Sequence, residues 1–339
     1  MKVDGGFGYA PDSLDAARRA AREAEQVGYD GLWSSETNHD PFLPLVVAAD
    51  ATEQVQLGTN IMVAFARSPM TVASTAWDLQ AISQGRLLLG MGSQIKAHIT
   101  KRFSMPWSHP AARMREYILA LHAIWDSWQD TSKLDFQGDF YTHTLMTPFF
   151  DPGPLPYGKP KVYLAGVGEL MTEVAGEVAD GFLAHAFTTE RYLHERTIPA
   201  LQRGLDASGR TRADLEISIP AFVVTGTTEE EMAKSRTGTK EQIAFYASTP
   251  AYRPVLELHG WGDLQTELNG LSKQGKWKEM GTRIDDEVLD AFAVIAEPDQ
   301  LAAGIRARFS GAIDRLSFYA PYRHDRETWL PVIEALKKA

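Results

Sequence analysis

The chain contains no cysteine among its 339 residues. Disulfide bonds, thiolate zinc sites and cysteine nucleophiles are therefore excluded as sources of stability or chemistry. A basic excess is also lacking, since 34 Lys and Arg stand against 44 Asp and Glu, for a net charge of −10. Because binding to phosphate backbones requires a basic surface, we expect no general nucleic-acid partner.

Long apolar runs are missing too, and none approaches the roughly 20 residues that a membrane-spanning helix requires. The first residues, MKVDGGFGYAPDS, have no apolar segment of the kind found in secretory signals. We therefore expect a soluble cytoplasmic protein with no membrane partner. A hydrophobic content of 44% nevertheless predicts a sizeable core.

Strand-like and helix-like segments alternate along the whole chain. We predict strands at residues 2–9, 31–36, 55–63, 87–89, 161–165, 181–187, 215–225 and 313–319. Eight such strands alternating with helices, without a change of composition, predict one α/β domain over residues 1–339, a single (β/α)8 TIM barrel. A doubly wound nucleotide-binding sheet is disfavoured, because GGFG after the first strand does not supply the GxGxxG pattern.

Several local features refine this prediction. Segments of about 131–160, with a short hairpin around Gly138-Asp139, and about 250–284, mainly helical, are expected as insertions at the C-terminal face of the barrel. Pro220 predicts a bulge or edge-like irregularity in its strand, because proline cannot donate to the ladder. The last helix is predicted over residues 326–338.

Barrels bind ligands at the C-terminal ends of their strands, so the residues after each predicted strand are the first site candidates. They combine glycine turns, which a phosphate can approach, with amide and apolar groups suited to a flat ring. The candidates are Phe7, Gly8, Glu36, His39, Asn60, Ile61, Gly92, Ser93, Gln94, Gly166, Val167, Gly168 and His185. Asn60 is unusual, because asparagine inside an apolar strand indicates a bulge or an unusual peptide bond.

The stretch GRLLLGMGSQIKAHITKRFSMPW, residues 85–107, predicts a buried strand that runs into a polar, cationic loop. This loop either grips an anion or is an ordinary solvated surface. Its hydroxyl, amide and basic groups are those of Ser93, Gln94, Lys96, His98, Lys101 and Arg102.

Other chemistries find less support. Glu36, His39, Asp40 and His185 make a metal site conceivable, but no further His or Asp follows another strand, and we predict no metal. No GxSxG nucleophile motif is present, and a glycosidase would need a second strand-end carboxylate beside Glu36. By itself, Glu36 fits either a turn acid that caps the next segment or a catalytic group.

Three stretches resemble the luciferase-like monooxygenase superfamily, and most specifically its branch of oxidoreductases that depend on the deazaflavin coenzyme F420. The resemblance covers essentially the whole chain and includes the RFSMPW loop. The stretches are GYDGLWSSETNHDPFLPLVVAA, VQLGTNIMVAFARSPMTVASTAWDLQAISQGRLLLGMGSQIKAH and VYLAGVGELMTEVAGEVADGFLAH.

The resemblance implies roles for individual residues. Relatives carry a bulge with a non-prolyl cis peptide at the end of the third strand, which would fall at Asn60-Ile61. The turns at Gly92-Ser93-Gln94 and Gly166-Val167-Gly168 resemble those that receive the cofactor's side chain and phosphate, with Phe7 and His98 beside the cofactor. Many relatives place an acidic residue directly before a histidine after the second strand, whereas this chain has Glu36-Thr37 with His39 two positions later. The proton donor is therefore either Glu36 or His39.

The implied activity is hydride transfer between F420 and a small apolar or aromatic substrate. A deazaflavin has carbon where a flavin has its reactive nitrogen, so it moves hydride and reacts poorly with oxygen. Two alternatives remain: an FMN-dependent monooxygenase of the same fold and a non-catalytic flavin-binding or deazaflavin-binding protein. Apolar helix faces with several tryptophans also predict a homodimer.

Overall fold

The computed structural model describes residues 1–8, 12–323 and 328–338. The strands are β1 Lys2–Gly6, β2 Gly31–Ser34, β3 Gln56–Thr59, β4 Met62–Val63, β5 Leu87–Gly92, β6 Phe136–Gln137, β7 Thr142–His143, β8 Lys161–Gly166, β9 Gly181–Ala184, β10 Glu216–Val224, β11 Ala293–Ile295 and β12 Arg315–Tyr319. The α-helices are α1 Leu14–Val27, α2 Leu43–Ala51, α3 Pro69–Ile82, α4 Lys96–Lys101, α5 Pro110–Gln129, α6 Glu169–Val178, α7 Glu190–Tyr192, α8 Ile198–Ser208, α9 Glu229–Ala247, α10 Arg253–Leu258, α11 Gly262–Lys273, α12 Trp277–Gly281, α13 Asp286–Phe292, α14 Pro298–Phe309 and α15 Leu330–Lys337.

The parallel strands form one sheet in the order β11, β10, β12, β1, β2, β3, β5, β8, β9, and β10 also pairs with β9. This order confirms the predicted (β/α)8 barrel. β4 pairs with β5, and β6 forms a separate antiparallel hairpin with β7, as expected around Gly138-Asp139. In the described part of the chain, no helix combines the length and the apolar character needed to cross a membrane.

Helix ends follow the local sequence. The Ser13 hydroxyl accepts a hydrogen bond from Ala16 N at the start of α1, and Gly28 ends that helix in the left-handed region at φ 88°. Ser68 caps α3 in the same way, with Pro69 as its first residue. A serine cap, a proline in the first turn and a left-handed glycine after the last turn are the residue types that favour such helix ends.

The chain divides into two compact units. The first, called the turn unit, comprises Gly5–Leu183 and Ala200–Glu216. Its strand β5 is buried at all six positions, which confirms the expectation of a strand covered on both faces. Gly90 in this strand must be a glycine, because a Cβ there would lie 1.8 Å from the carbonyl oxygen of Thr59.

The second unit, called the aromatic unit, comprises Met1–Asp4, Ala184–Pro199 and Ile217–Ala339. In its sheet, Arg315 lies opposite Lys2 on one side and Ser218 on the other. The Arg315 guanidinium donates two hydrogen bonds to the carboxylate of Asp4, at 2.7 and 2.8 Å, and both side chains are fully buried. The segment predicted as a mainly helical insertion contains α10, α11 and α12, as expected.

Two strand predictions were wrong in detail. The strand predicted at 55–63 is broken into β3 and β4, since the backbone changes direction at Asn60-Ile61. Pro220 makes no bulge: the register of β10 with β12 runs from Ser218 opposite Arg315 to Phe222 opposite Tyr319 without interruption. Proline removes only its own donor, and the neighbouring residues maintain the ladder.

Other boundaries also moved. The strand predicted at 181–187 ends at Ala184. Part of the polar loop expected after β5 is a short helix, α4, and the short strand β11 was not predicted. The predicted start of the last helix at Arg326, and the end of the first strand at Tyr9, lie outside the described residues.

Candidate functional site

The break between β3 and β4 lies at the strand ends of the turn unit. The Asn60-Ile61 peptide is cis, which confirms the expectation drawn from the family resemblance. Asn60 N donates to Ser34 O at 2.7 Å, and Ser35 Oγ donates to Asn60 O at 2.8 Å. Glu36 N donates to Ile61 O at 3.2 Å. The residues after β2 therefore hold both sides of the break, and the side chains of Asn60 and Ile61 remain half-buried.

Glu36 belongs to an ion-pair network beside this break, in which Arg67 contacts two carboxylates. The Oε2 atom of Glu36 accepts hydrogen bonds from Val63 N and from Arg67 Nη1, each at 2.7 Å. The Glu36 side chain is only 7% exposed and the Arg67 side chain 20%. Arg67 also donates from Nη2 to Asp40 at 3.2 Å. His39 is exposed on the same turn, and no side-chain hydrogen bond ties it to Glu36.

The turn after β5 contains Gly92, Ser93 and Gln94. A Cβ at Gly92 would lie 3.1 Å from Ile61 Cδ1 and 3.6 Å from Ala165 Cβ, so this position touches both neighbouring strand ends. Ser93 Oγ donates to Gln94 O at 3.0 Å, and Gln94 Oε1 accepts from Ile95 N at 3.0 Å. Gln94 has a φ of 60°, which makes this a tight left-handed turn at a residue other than glycine.

Helix α4 follows this turn and carries basic side chains. Lys96, His98, Lys101 and Arg102 are all exposed. The Arg102 guanidinium donates to Thr37 O, which connects the end of α4 to the turn after β2. Lys96 and Lys101 have no carboxylate partner within the described residues. The chain thus presents several uncompensated positive charges close to the turn after β5.

The turn after β8 contains Gly166, Val167 and Gly168 and leads into α6. The position that a Cβ of Gly168 would occupy has no atom within 4 Å, so the backbone is open there. Gly168 has ordinary extended angles, so the openness and not the conformation distinguishes it. Glu169 in the first turn of α6 forms an ion pair with Arg203.

The structure brings several of the predicted residues together. Phe7 N donates to Trp33 O at 3.1 Å, which places Phe7 at the end of β2. Glu36 is hydrogen-bonded to Ile61 through its backbone N–H, and Ile61 and Ala165 pack against one apolar cluster with Trp33. His39 and His98 remain exposed, without side-chain bonds to the others.

Arg67 and Asp40 were not predicted as site residues, although they complete the network of Glu36. The sequence offered one signal for this network. Glu36 and Asp40 lie four positions apart after the second predicted strand, and Arg67 follows the third. Among the described residues, no group of three His, Asp or Glu side chains could hold a metal ion.

Comparison with known proteins identifies the family of the chain. The family model described as luciferase-like monooxygenase matches residues 1–315. The chain belongs to this family. An uncharacterized protein of Mycobacterium tuberculosis is 56% identical over 316 residues, covering 93% of this chain and 92% of that protein.

Two further proteins to which the chain is similar carry names that include an activity. F420-dependent glucose-6-phosphate dehydrogenase of Intrasporangium calvum is 30% identical, over 88% of this chain and 86% of that protein. The solved structure of coenzyme F420 dependent tetrahydromethanopterin reductase from Methanopyrus kandleri superposes with a TM-score of 0.78 at 20% identity. That match covers 98% of this chain and 96% of the reductase. The relatives thus include F420-dependent oxidoreductases, and the structural match supports the same fold.

In this luciferase-like chain, a second set of polar residues lies in the aromatic unit. His185 comes directly after β9, and its Nδ1 accepts a hydrogen bond from Phe187 N at 3.0 Å. Its Nε2 lies 3.0 Å from the hydroxyl of Tyr252, whose ring stacks on the imidazole at 4.6 Å. The hydroxyls of Tyr246 and Tyr319 lie 2.7 Å apart. Of this set, only His185 was predicted, because the tyrosines come from distant segments.

Proposed function

We propose that this chain is an F420-dependent oxidoreductase that transfers a hydride between the deazaflavin and a small, apolar or aromatic organic substrate. The observation that carries the proposal is the convergence of the strand-end turns of the turn unit. Gly92, Ile61 and Ala165 meet there, beside half-buried Asn60 and a cationic helix. The F420-dependent relatives among the family support the choice of cofactor.

The residues present fit such a cofactor. The apolar side chain of Ile61 and the backbone of the Gly92 turn provide a smooth surface for a flat ring. Gly168 leaves open space along its backbone, which suits the close approach of a phosphate. Lys96, Lys101 and Arg102 then supply positive charge for an acidic tail. Phe7, Ser93, Gln94, His98, Gly166 and Val167 are proposed to complete the cofactor contacts.

The bound deazaflavin would supply a carbon centre that gives or accepts a hydride. The chain's own residues would bind and orient the ring and move a proton near it. Glu36 is better suited to anchoring than to proton donation, because one carboxylate oxygen already accepts hydrogen bonds from both Val63 N and Arg67. His39 is exposed on the same turn, and we propose it as the proton donor.

The proposal is tested by titrating the purified protein with F420 and, separately, with FMN. We expect saturable changes in F420 fluorescence, with FMN binding at least tenfold weaker because it lacks an acidic tail. Binding of FMN alone would contradict the proposal.

Oxygen uptake with reduced FMN then distinguishes the alternatives. Rapid uptake in the presence of an organic substrate would indicate a monooxygenase and contradict the proposed hydride transfer. Tight F420 binding without turnover of alcohols, enones, imines or nitroarenes would instead favour a non-catalytic carrier.

A further inference from the structure

The hydrogen bonds around His185 determine which of its nitrogens carries the proton. A backbone N–H can only donate, so the Nδ1 atom that receives Phe187 N must be unprotonated. Burial lowers the pKa of His185 to about 4, so the imidazole is neutral at pH 7. The proton of the neutral ring is therefore on Nε2, and Nε2–H donates to the hydroxyl oxygen of Tyr252.

This assignment leaves the proton of Tyr252 available. Its hydroxyl oxygen accepts from His185, and no acceptor for its own O–H lies within the described residues. Tyr246 and Tyr319 also leave one hydroxyl proton available. One of the two hydroxyls donates to the other, and the accepting hydroxyl retains its own proton. The three tyrosine side chains are half-buried and pack against one apolar cluster, so their hydroxyls are polar groups in an otherwise apolar region.

The walls of this region are aromatic. Phe187 packs against Phe292 at 4.5 Å between ring centroids, and Phe222 lies edge-on to Tyr319 at 4.8 Å. Burial, together with nearby Tyr246, raises the pKa of Tyr252 to about 12, and burial raises the pKa of Tyr319 as well. His185, Tyr252 and Tyr319 are therefore uncharged at neutral pH. The region offers hydroxyl donors and flat apolar surfaces, and these side chains supply no cation for a carboxylate or a phosphate.

We propose that His185, Tyr246, Tyr252 and Tyr319 form a binding site for an uncharged, planar organic molecule with a carbonyl oxygen, which the hydroxyl of Tyr252 recognises. His185 orients this hydroxyl by occupying its oxygen, so the proton points to the ligand and not back to the imidazole. If this ligand is the substrate of the hydride transfer, the inference rests on the proposed function and narrows its substrate to neutral aromatic ketones, enones or quinones.

The test measures binding by calorimetry on the full chain without cofactor. The probes are 2-acetylnaphthalene, 2-ethylnaphthalene and 2-naphthoate, which share one ring system and differ in the oxygen group. We expect the ketone to bind at least fivefold more tightly than the hydrocarbon and than the anion. Equal affinity for the ketone and the hydrocarbon, or tighter binding of 2-naphthoate, would overturn the proposal.

Two matched variants complete the test. Tyr252→Phe should weaken ketone binding about fivefold and leave hydrocarbon binding unchanged, because only the hydroxyl is removed. Tyr322→Phe is the control, since the hydroxyl of Tyr322 already donates to Val223 O in the same unit, and it should leave ketone binding unchanged. Unchanged ketone affinity in Tyr252→Phe would disprove the assignment.

The outcome is separable from that of the cofactor titration. Discrimination for the ketone without F420 binding would contradict the proposed function and leave this site standing. F420 binding without ketone discrimination would support the proposed function and contradict this site.

Discussion

The two compact units differ in the chemistry of the residues at the ends of their strands. In the turn unit, the strands end in glycine turns, in the ion-paired Glu36 and in a helix with exposed lysines. In the aromatic unit, they end in His185, Tyr319 and the rings packed around them, which are neutral at pH 7. Open backbone and positive charge suit an anionic cofactor, whereas aromatic walls with hydroxyl groups suit an uncharged organic molecule.

The difference extends to the ion pairs of the two units. The Asp4–Arg315 pair is fully buried between neighbouring strands of the aromatic unit. The Glu36–Arg67 pair is partly exposed and borders the break in the third strand. We therefore expect the first pair to act on stability and the second on ligand binding, and the following predictions test that division.

The largest effect is expected for Asp4→Asn. Removing the carboxylate that neutralises buried Arg315 should lower the free energy of unfolding by about 3–5 kcal/mol. Urea denaturation followed by circular dichroism measures this change. Glu334→Gln is the control, because its pair with Lys338 is exposed, and it should leave the unfolding midpoint unchanged. A midpoint for Asp4→Asn close to that of the wild type would show that this pair contributes little to stability.

A smaller effect is expected from His185 as the pH falls. Burial lowers the pKa of His185 from its ordinary value of 6.5 to about 4 in the folded chain. The unfolded chain therefore binds this proton first, so stability is fully present above pH 6.5 and declines as the pH falls towards 4. Between pH 7 and pH 5 the loss from this residue should be about 1–2 kcal/mol. Urea unfolding of wild type and His185→Gln at both pH values should show a shallower decline in the variant, and equal declines would refute the assignment.

The smallest effect is expected for Glu36→Gln, and it should appear in binding. The substitution removes the charge that holds Arg67 and loosens the turn around Val63 N and Ile61 O. F420 binding should weaken about tenfold, which corresponds to about 1.4 kcal/mol. Asp40→Asn is the matched control, because Asp40 bonds the same arginine from an exposed position at 3.2 Å, and its effect should be under threefold. Fluorescence titration measures the F420 affinity of both variants. Equal losses of affinity would indicate that Arg67 alone, and not Glu36, supports F420 binding.

Much of the fold could be predicted because its signals are local. Ser13 and Gly28 bound α1 through hydrogen bonds and a left-handed φ that depend only on near neighbours. The three leucines of β5 indicate burial on both faces without reference to any other strand. The bulge predicted at Pro220 was wrong because its signal is not local. Whether a missing donor disrupts a strand depends on the neighbouring residues of the ladder.

The residues of the candidate site also divide into those with a local sequence signal and those without one. Asn60 signalled a break by being out of place in an apolar strand, and the structure has one there. Arg67 gave a weaker signal, because its partner Glu36 lies 31 positions earlier. Tyr252 gave none, since its hydrogen bond to His185 spans 67 positions.

The sequence by itself determined the alternation of strands and helices, the helix ends and the glycine turns, because these depend on the propensities and spacing of adjacent residues. Only the tertiary structure decided which strand-end groups meet. Packing between segments far apart in the chain brings Glu36 into hydrogen bonds with Arg67 and Val63 N. It likewise brings His185 to the hydroxyl of Tyr252. That step fixes hydrogen-bond partners and burial, and these in turn distinguish a charged site from a neutral one.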